Sequence, residues 1–340
     1  MTVRRCPHLA ALAVGAVALL VACQPGGQGG DTSPTPGQSP PDDASPSASP
    51  APGGQRLTIA TGGTGGVYFP LGGGLAQELS ENIEGVTATA QETSASVDNM
   101  LLIGSGEADI AFVLGDTAAD AVEGRAQFEG SPIDACTLGI LYGNYTQVVT
   151  TTGSGIETIE DLRDQRVSVG APGSGTEVIA LRILEAAGID PDADLAIRSQ
   201  LLIDETVDAL GDGTIDAGFW SGGLPTGALV DLPNLKLIPT AEYTDDLAAG
   251  YGPFYIEREI PAGTYDAVTE AVATIAVPNV LVVNTSMAAD LQRQITEVLF
   301  SQKEDLVQVH PAANELDPAT AGEVEFMDVC PGAQSFYDSQ

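Results

Sequence analysis

Two segments of the 340-residue chain repeat one pattern, in which a short apolar strand runs into a glycine-rich turn and then into a helix. The first copy spans residues 57–70 and the second spans residues 167–176. Both turns contain a Gly-hydroxyl-Gly sequence, at 63–65 and at 173–175. Ligands of α/β proteins bind at the carboxyl ends of strands. We therefore predict that the two turns face each other across one ligand-binding site.

The repeat extends beyond the turns. Residues 104–112 and 211–219 share two glycines, an aspartate and a phenylalanine at one spacing, and each segment follows its turn at a similar distance. This internal similarity predicts two related α/β lobes. A chance match between two junctions of helix and strand is the alternative, because Gly-x-Gly before a strand is common.

Strand-like and helix-like segments alternate along the folded part. This alternation predicts an α/β fold in which parallel sheets carry helices on both faces. The predicted elements are helices at 71–79, 97–103, 117–123, 159–164 and 177–187, and strands at 86–90, 109–113, 137–141, 147–151 and 167–170.

The N-terminus has the order of a secretory signal. Arg4 and Arg5 precede an apolar run at 9–21, which ends in Leu-Val-Ala before Cys23. The segment resembles a bacterial lipoprotein signal, which implies a signal peptide at 1–22 and lipidation of Cys23. An uncleaved anchor is the alternative, although about 13 apolar residues are short for a membrane span. We expect an extracytoplasmic protein anchored to the outer face of the cell membrane as a lipoprotein.

Residues 23–55 contain Gly, Ser, Pro, Thr and Asp and almost no large apolar side chain. Such a segment buries too little surface to fold, so we predict a disordered tether behind the lipidated cysteine. The membrane contact would then be made by the lipid alone.

Cys136 and Cys330 are the cysteines that remain after the signal and the lipidation site are set aside. An exported protein is oxidised, so a disulfide between them is predicted. Two unpaired buried thiols are the alternative.

The charge excludes some partners. The chain has 47 acidic and 12 basic residues and a formal net charge of −35, which argues against nucleic acid and anionic membrane surfaces. The acids are scattered along the chain, which fits a saline habitat or ordinary solubility.

The sequence does not predict an enzyme. The glycine turns match neither the dinucleotide motif nor the P-loop, His310 is the one histidine outside the signal, and no serine lies in a Gly-x-Ser-x-Gly elbow. The acidic segment 190–194 lacks the spacing of a calcium loop. We predict no catalytic residue, no metal site and no cofactor.

Six separated motifs, at 61–72, 96–99, 104–111, 167–177, 216–223 and 260–265, occur in one order along the chain. Together they resemble the TAXI family of solute receptors, the extracytoplasmic component of TRAP transporters. The resemblance runs from about 57 to 337.

This resemblance implies a two-lobed periplasmic-binding-protein fold (type II), with each lobe a mostly parallel sheet flanked by helices and with hinge strands between the lobes. Residues 56–146 plus 276–340 would form the first lobe and residues 147–275 the second. The protein would capture a small carboxylate, glutamate-like or 2-oxoglutarate-like, and deliver it to a sodium-coupled permease. We expect a monomer. A membrane-tethered ligand sensor for a signalling kinase is the alternative function.

The family's contacts map onto both turns and their surroundings. The implied ligand-binding residues are Gly65, Gly66, Val67, Tyr68, Ser96, Asn99, Ser174, Gly175, Thr176 and Trp220. Structural roles are the alternatives: Tyr68 and Trp220 in the core, Asn99 bonded within its helix, and Ser174 and Thr176 as caps only. The chain departs from the usual pattern at 143–145, where relatives often carry Pro and Glu, and at Cys330, where many carry His.

The turns also have a physical reason to bind an anion. Each would present backbone N–H groups at a helix N-terminus, with Thr64, Ser174 and Thr176 as hydroxyl donors. Such donors hold an anion without a full positive charge.

Overall fold

The computed structural model describes residues 54–230 and 232–340. The predicted signal peptide, Cys23 and nearly all of the predicted tether lie outside these residues. The first strand begins at Gln55, one residue before the predicted start of the first lobe. Within the described part of the chain, none of the helices combines the length and the apolar character needed to cross a membrane.

The described residues alternate between strands and helices, as the sequence predicts. The strands are β1 (Gln55–Ala60), β2 (Val86–Gln91), β3 (Ile110–Leu114), β4 (Ala135–Thr151), β5 (Arg166–Ser168), β6 (Ile197–Ser199), β7 (Ala217–Gly222), β8 (Leu235–Ile238), β9 (Ile256–Ile260) and β10 (Val272–Asn284). The α-helices are α1 (Tyr68–Asn82), α2 (Ser96–Ser105), α3 (Gly115–Glu123), α4 (Gly175–Ala186), α5 (Ile203–Gly211), α6 (Gly227–Val230), α7 (Thr244–Tyr251), α8 (Ala289–Ser301), α9 (Lys303–Val309) and α10 (Pro331–Tyr337). The helix predicted at 159–164 is only a 3-10 turn, Glu160–Leu162.

The strands form one connected sheet that contains two parallel parts. Strands β1, β2 and β3 pair in parallel and form the first subsheet. Strands β5, β6 and β7 also pair in parallel and form the second subsheet. The long strands β4 and β10 lie antiparallel between them, in the order β2-β1-β3-β10-β4-β7-β5-β6. The predicted α/β architecture is confirmed, with β4 and β10 in the position of the hinge strands.

The chain from 135 to 151 differs from the prediction. The sequence suggests two strands, 137–141 and 147–151, separated by a polar segment, whereas the structure has the single strand β4. Gly143 and Asn144 stay extended because β10 pairs with them, and Tyr145 pairs with both β10 and β7. Pairing on both sides therefore overrides the polar composition of this segment.

The repeat found in the sequence is a structural repeat. In the first subsheet the Asp109 carboxylate accepts a hydrogen bond of 2.8 Å from the backbone N–H of Thr58. In the second, the Asp216 carboxylate accepts a hydrogen bond of 2.9 Å from the backbone N–H of Arg166. Each aspartate therefore holds a strand that leads to a glycine turn, at the middle of β1 and at the first residue of β5.

Cys136 and Cys330 form a disulfide, with a Cα–Cα distance of 5.1 Å and a sequence separation of 194. The bridge joins β4 to the residue before α10, and a second contact supports it, because the backbone N–H of Cys330 donates to the Thr137 carbonyl at 2.8 Å. The C-terminal segment is thus held on the core that covers the first subsheet.

We expect the variant Cys136→Ser/Cys330→Ser to lose about 3 kcal/mol of unfolding free energy, because the bridge closes a very long loop in the unfolded chain. Urea unfolding of both proteins measures this loss. Peptide mapping without reductant should recover the two cysteines in one linked pair, and recovery of both as free thiols would contradict the assignment.

A buried ionic cluster connects α3 with α4. The Arg182 guanidinium donates to the Tyr255 hydroxyl at 2.6 Å, lies 3.2 Å from the Asp116 carboxylate and also bonds to Asp120. The arginine side chain is 7% exposed, and those of Asp116 and Asp120 are 0% and 5% exposed. Helix α3 follows β3 of the first subsheet, and α4 follows β5 of the second. The cluster therefore links a helix of one subsheet to a helix of the other.

Candidate ligand-binding site

A cavity of about 40 Å³ lies where the carboxyl ends of the two parallel subsheets meet. Its wall comes from both glycine turns, from the loops after β2 and β6, and from the ends of β3 and β7. All of the predicted contacts except Gly65 and Asn99 line this cavity: Gly66, Val67, Tyr68, Ser96, Ser174, Gly175, Thr176 and Trp220. The structure thus brings residues of the two repeats into one site.

The first glycine turn leads directly into α1, which begins three residues earlier than predicted, at Tyr68. Gly66 must be a glycine here, because a Cβ at this position would lie 2.9 Å from the Trp220 ring. The Tyr68 ring packs on Phe112, with the ring centroids 5.4 Å apart. Burial raises the pKa of the Tyr68 hydroxyl, so this group is a neutral hydrogen-bonding partner.

The second glycine turn leads into α4, which begins at Gly175. The Ser174 hydroxyl caps this helix by accepting a hydrogen bond of 3.0 Å from the backbone N–H of Glu177. The Glu177 carboxylate in turn accepts from the backbone N–H of Gly173 at 2.9 Å. The N–H groups of Gly175 and Thr176 are the donors at this helix end that have no partner among the described residues.

The Thr176 hydroxyl accepts a hydrogen bond from the protein but does not donate one within the described residues. Its hydroxyl accepts a hydrogen bond of 3.1 Å from the backbone N–H of Ser221. The hydroxyl proton of Thr176 remains for donation to another acceptor. The Ser174 hydroxyl is in the same state, because it accepts one hydrogen bond as a cap and also keeps its proton.

Each glycine turn contacts the second helix of the opposite repeat. The Gly173 carbonyl accepts hydrogen bonds from the backbone N–H groups of Val97 and Asp98 at 3.1 and 3.2 Å, at the start of α2. This helix follows Ala95, whose φ of 80° is rare for a side chain other than glycine. Such strain concentrates at functional sites.

The first turn makes the equivalent contact with the start of α5, in the second repeat. A Cβ on Gly63 would lie 3.1 Å from a methyl group of Leu202, and a Cβ on Gly65 would overlap the Asp204 carboxylate. The two turns and the starts of α2 and α5 thus form one pseudosymmetric contact between the repeats. The family resemblance does not indicate Leu202. The repeat relates Leu202 to Ala95, because these residues directly precede the corresponding helices α5 and α2.

Asn99 and Gly65 do not line the cavity. Asn99 is fully buried, and its amide group donates to the carbonyls of Thr61 and Phe112 at 2.7 Å each. Its amide oxygen accepts from the Thr93 hydroxyl at 2.6 Å. The side chain therefore fixes β1 and β3 behind the wall, and we leave Asn99 out of the proposed contact set.

Trp220 closes one side of the cavity and is held in place. Its indole N–H donates to the Thr226 hydroxyl at 2.8 Å, and the Gln147 amide donates to the same oxygen at 3.1 Å. The ring lies against the first glycine turn, across the gap between the repeats. Trp220 thus offers the cavity an oriented aromatic face.

No charged side chain lines the cavity in the described part of the chain. The wall is made of glycine and of hydroxyl, aromatic and aliphatic side chains, including Ser94, Leu202 and Ser221, which the sequence analysis does not single out. Ligand recognition at this wall would depend on backbone N–H groups, hydroxyl groups and apolar contact.

The fold is similar to that of a solved protein that was determined with a small ligand. The chain is similar to PhnD1 from Prochlorococcus marinus in complex with methylphosphonate, with a TM-score of 0.54, 12% identity, and coverage of 76% of this chain and 90% of that chain. It is also similar to the periplasmic aliphatic sulphonate binding protein SsuA from Escherichia coli, with a TM-score of 0.44, 15% identity and 84% of each chain covered. At these identities the similarity concerns the fold alone.

The family comparison covers most of the chain. The pattern of the NMT1-like family matches residues 59–340, which include every wall segment of the cavity and the whole of β4 and β10. The chain therefore belongs to the NMT1-like family.

Proposed function

We propose that this protein is an extracytoplasmic solute receptor that binds a small carboxylate between its two subsheets and delivers it to a membrane transporter. The observation that supports this most strongly is the single cavity walled by two helix N-termini from two repeats. A receptor needs such a site to enclose its solute from both sides.

The motif resemblance refines this proposal. We propose that the transporter is of the TRAP type with a TAXI receptor, and that glutamate and 2-oxoglutarate are the first ligands to test. The lobes would be 56–146 plus 276–340 and 147–275, moving about β4 and β10. Lipidation of Cys23 would hold the receptor at the outer face of the cell membrane.

The donors at the cavity suit a carboxylate. The N–H groups of Gly175 and Thr176 lie at the N-terminus of a helix of 12 residues, where the helix dipole favours negative charge. The Thr176 hydroxyl adds a third donor from the same turn. Hydrogen bonds to a charged group are stronger than neutral ones, so these donors can hold a carboxylate without a basic side chain.

The size of the cavity indicates that the repeats must separate to admit a solute. A volume of about 40 Å³ holds about three water molecules, which is too little for a five-carbon acid. In this arrangement the Gly173 carbonyl accepts hydrogen bonds from the N–H groups of Val97 and Asp98. We infer that the ligand enters when this contact opens, and that the repeats then close on it again while its carboxylate binds the free N–H groups of Gly175 and Thr176.

We expect Ser174→Ala/Thr176→Ala to weaken carboxylate binding by about tenfold, or ~1.4 kcal/mol. The effect is moderate because the variant loses two hydroxyl donors but keeps the backbone N–H groups of Gly175 and Thr176. Calorimetry with glutamate, 2-oxoglutarate, succinate and glucose measures it, with Ser105→Ala on an exposed part of α2 as the control. If the parent binds glucose and none of the acids, the proposed function is wrong.

A further inference from the structure

One face of β4 carries a row of polar side chains beneath the cavity. Tyr142, Asn144 and Thr146 alternate along the strand and therefore point to the same face of the sheet. Asn279 lies opposite Tyr142 on β10, and Ser221 lies opposite Thr146 on β7. Residues directly opposite each other share a face, so all five belong to one group, which we call the β4 polar cluster.

The β4 polar cluster is buried, and much of its hydrogen-bonding capacity is not used. Its members are between 0% and 8% exposed. The atoms without a hydrogen-bond partner among the described residues are the hydroxyl oxygens of Tyr142, Thr146 and Ser221, the amide oxygen of Asn144, and both amide atoms of Asn279. Buried polar groups are normally hydrogen-bonded, so a concentration of this kind calls for a partner outside the protein chain.

The cluster is continuous with the cavity. Ser221 belongs to the cavity wall. Asn144 donates a hydrogen bond of 3.4 Å to the hydroxyl of Tyr68, which also belongs to the wall. A ligand whose carboxylate lies at the second glycine turn would therefore direct its other end toward this cluster when the repeats separate.

We propose that the β4 polar cluster is a second subsite, which holds an uncharged hydrogen-bonding group at the far end of the ligand, a carboxamide or a hydroxyl. This rests on the proposed function, since it takes the carboxylate to be at the glycine turns. The cluster has no charge and offers acceptors as well as donors, including the amide oxygens of Asn144 and Asn279. A carboxamide or hydroxyl satisfies both kinds of group, whereas a second carboxylate only accepts.

Matched ligand pairs test the proposal by calorimetry. The pairs are succinamate and succinate, 2-oxoglutaramate and 2-oxoglutarate, and glutamine and glutamate, which differ only in the group at the far end. We expect the amide of each pair to bind about tenfold more tightly than the acid, because the acid leaves buried acceptors unpaired. Equal affinities, or tighter binding of the acids, would overturn the subsite.

Two variants connect this preference to the cluster. Thr146→Val and Ser221→Ala each remove an unpartnered hydroxyl and should reduce the ratio of amide to acid affinity by about fivefold. Their melting temperatures should not fall, because no hydrogen bond within the protein is lost. The control is Thr150→Val on the same strand, whose hydroxyl donates to the Asp216 carbonyl at 2.7 Å. This control should lower the melting temperature and leave the ratio unchanged.

The outcomes separate the two proposals. If the parent binds the acids and their amides but the ratio is the same in Thr146→Val and Ser221→Ala as in the parent, the subsite is wrong and the receptor proposal stands. A fall in melting temperature as large as that of Thr150→Val, with no change in the ratio, would identify the cluster as a structural water site. If the parent binds neither member of any pair, both proposals fail.

Discussion

Replacing Arg182 with methionine is expected to lower the free energy of unfolding by about 3–5 kcal/mol, because it leaves two buried carboxylates without their cation. Asp116 and Asp120 both bond to this guanidinium and are almost completely buried. Methionine keeps much of the apolar volume of the arginine side chain. The loss of unfolding free energy is therefore due to the missing charge and its hydrogen bonds. Urea unfolding with an unchanged m-value measures it.

The loss should also depend on pH. Burial raises the pKa of Asp116 above its ordinary value of 3.8, although the charge of Arg182 opposes this shift. The folded protein thus retains a proton that the unfolded chain has released, and the free energy of unfolding falls as pH rises through the interval above 3.8. Without Arg182 this interval extends to higher pH. We therefore expect the loss caused by Arg182→Met to be smaller at pH ~5 than at pH ~7.

The matched control is Arg163→Met. Arg163 also pairs with an aspartate, Asp194, but their side chains are 43% and 34% exposed. Exposed ion pairs contribute little to stability, so this variant should unfold at nearly the parent's urea concentration. Similar losses in both arginine variants, or a loss for Arg182→Met that does not change with pH, would show that the buried cluster is not the cause.

The repeat in the sequence predicts much of the site. Two strand-turn-helix units and two Gly-Gly-Asp-Phe segments predict two related subsheets, and the structure places both turns in one cavity. The same repeat also relates two residues that no motif indicates. Leu202 and Ala95 occupy equivalent positions before α5 and α2, and both line the cavity.

Other features depend on tertiary contacts that spacing does not show. Asn99 lies in a family motif, but its amide is used by Thr61, Phe112 and Thr93, which only the folded chain brings together. The polar residues at 143–145 resemble a loop, because their pairing partners lie on β10 and β7, more than 70 residues away in sequence. The β4 polar cluster cannot be predicted from sequence spacing for the same reason, because its members lie on β4, β7 and β10.

Replacing Gly175 with valine is expected to weaken ligand binding by about a thousandfold, or ~4 kcal/mol, by preventing the repeats from closing. A Cβ at this position would lie 2.8 Å from the Ser96 hydroxyl and would overlap the Leu114 side chain, and both belong to the first repeat. The closed arrangement would then lose its packing together with the hydrogen bonds from Val97 and Asp98 to the Gly173 carbonyl. Gly175 is the first residue of α4, where valine is compatible with the backbone, so the variant should fold.

Gly73→Val is the control, because a Cβ on this exposed glycine of α1 meets nothing within 4 Å. It should bind ligand as the parent does. The second-site change Leu114→Ala should restore part of the affinity of Gly175→Val, since it removes the side chain that the valine meets, and a double-mutant cycle isolates this coupling. If Gly175→Val binds the ligand as tightly as the parent, the repeats need not approach as closely as they do here. If it binds weakly but Leu114→Ala restores nothing, the contact between Gly175 and Leu114 does not control closure.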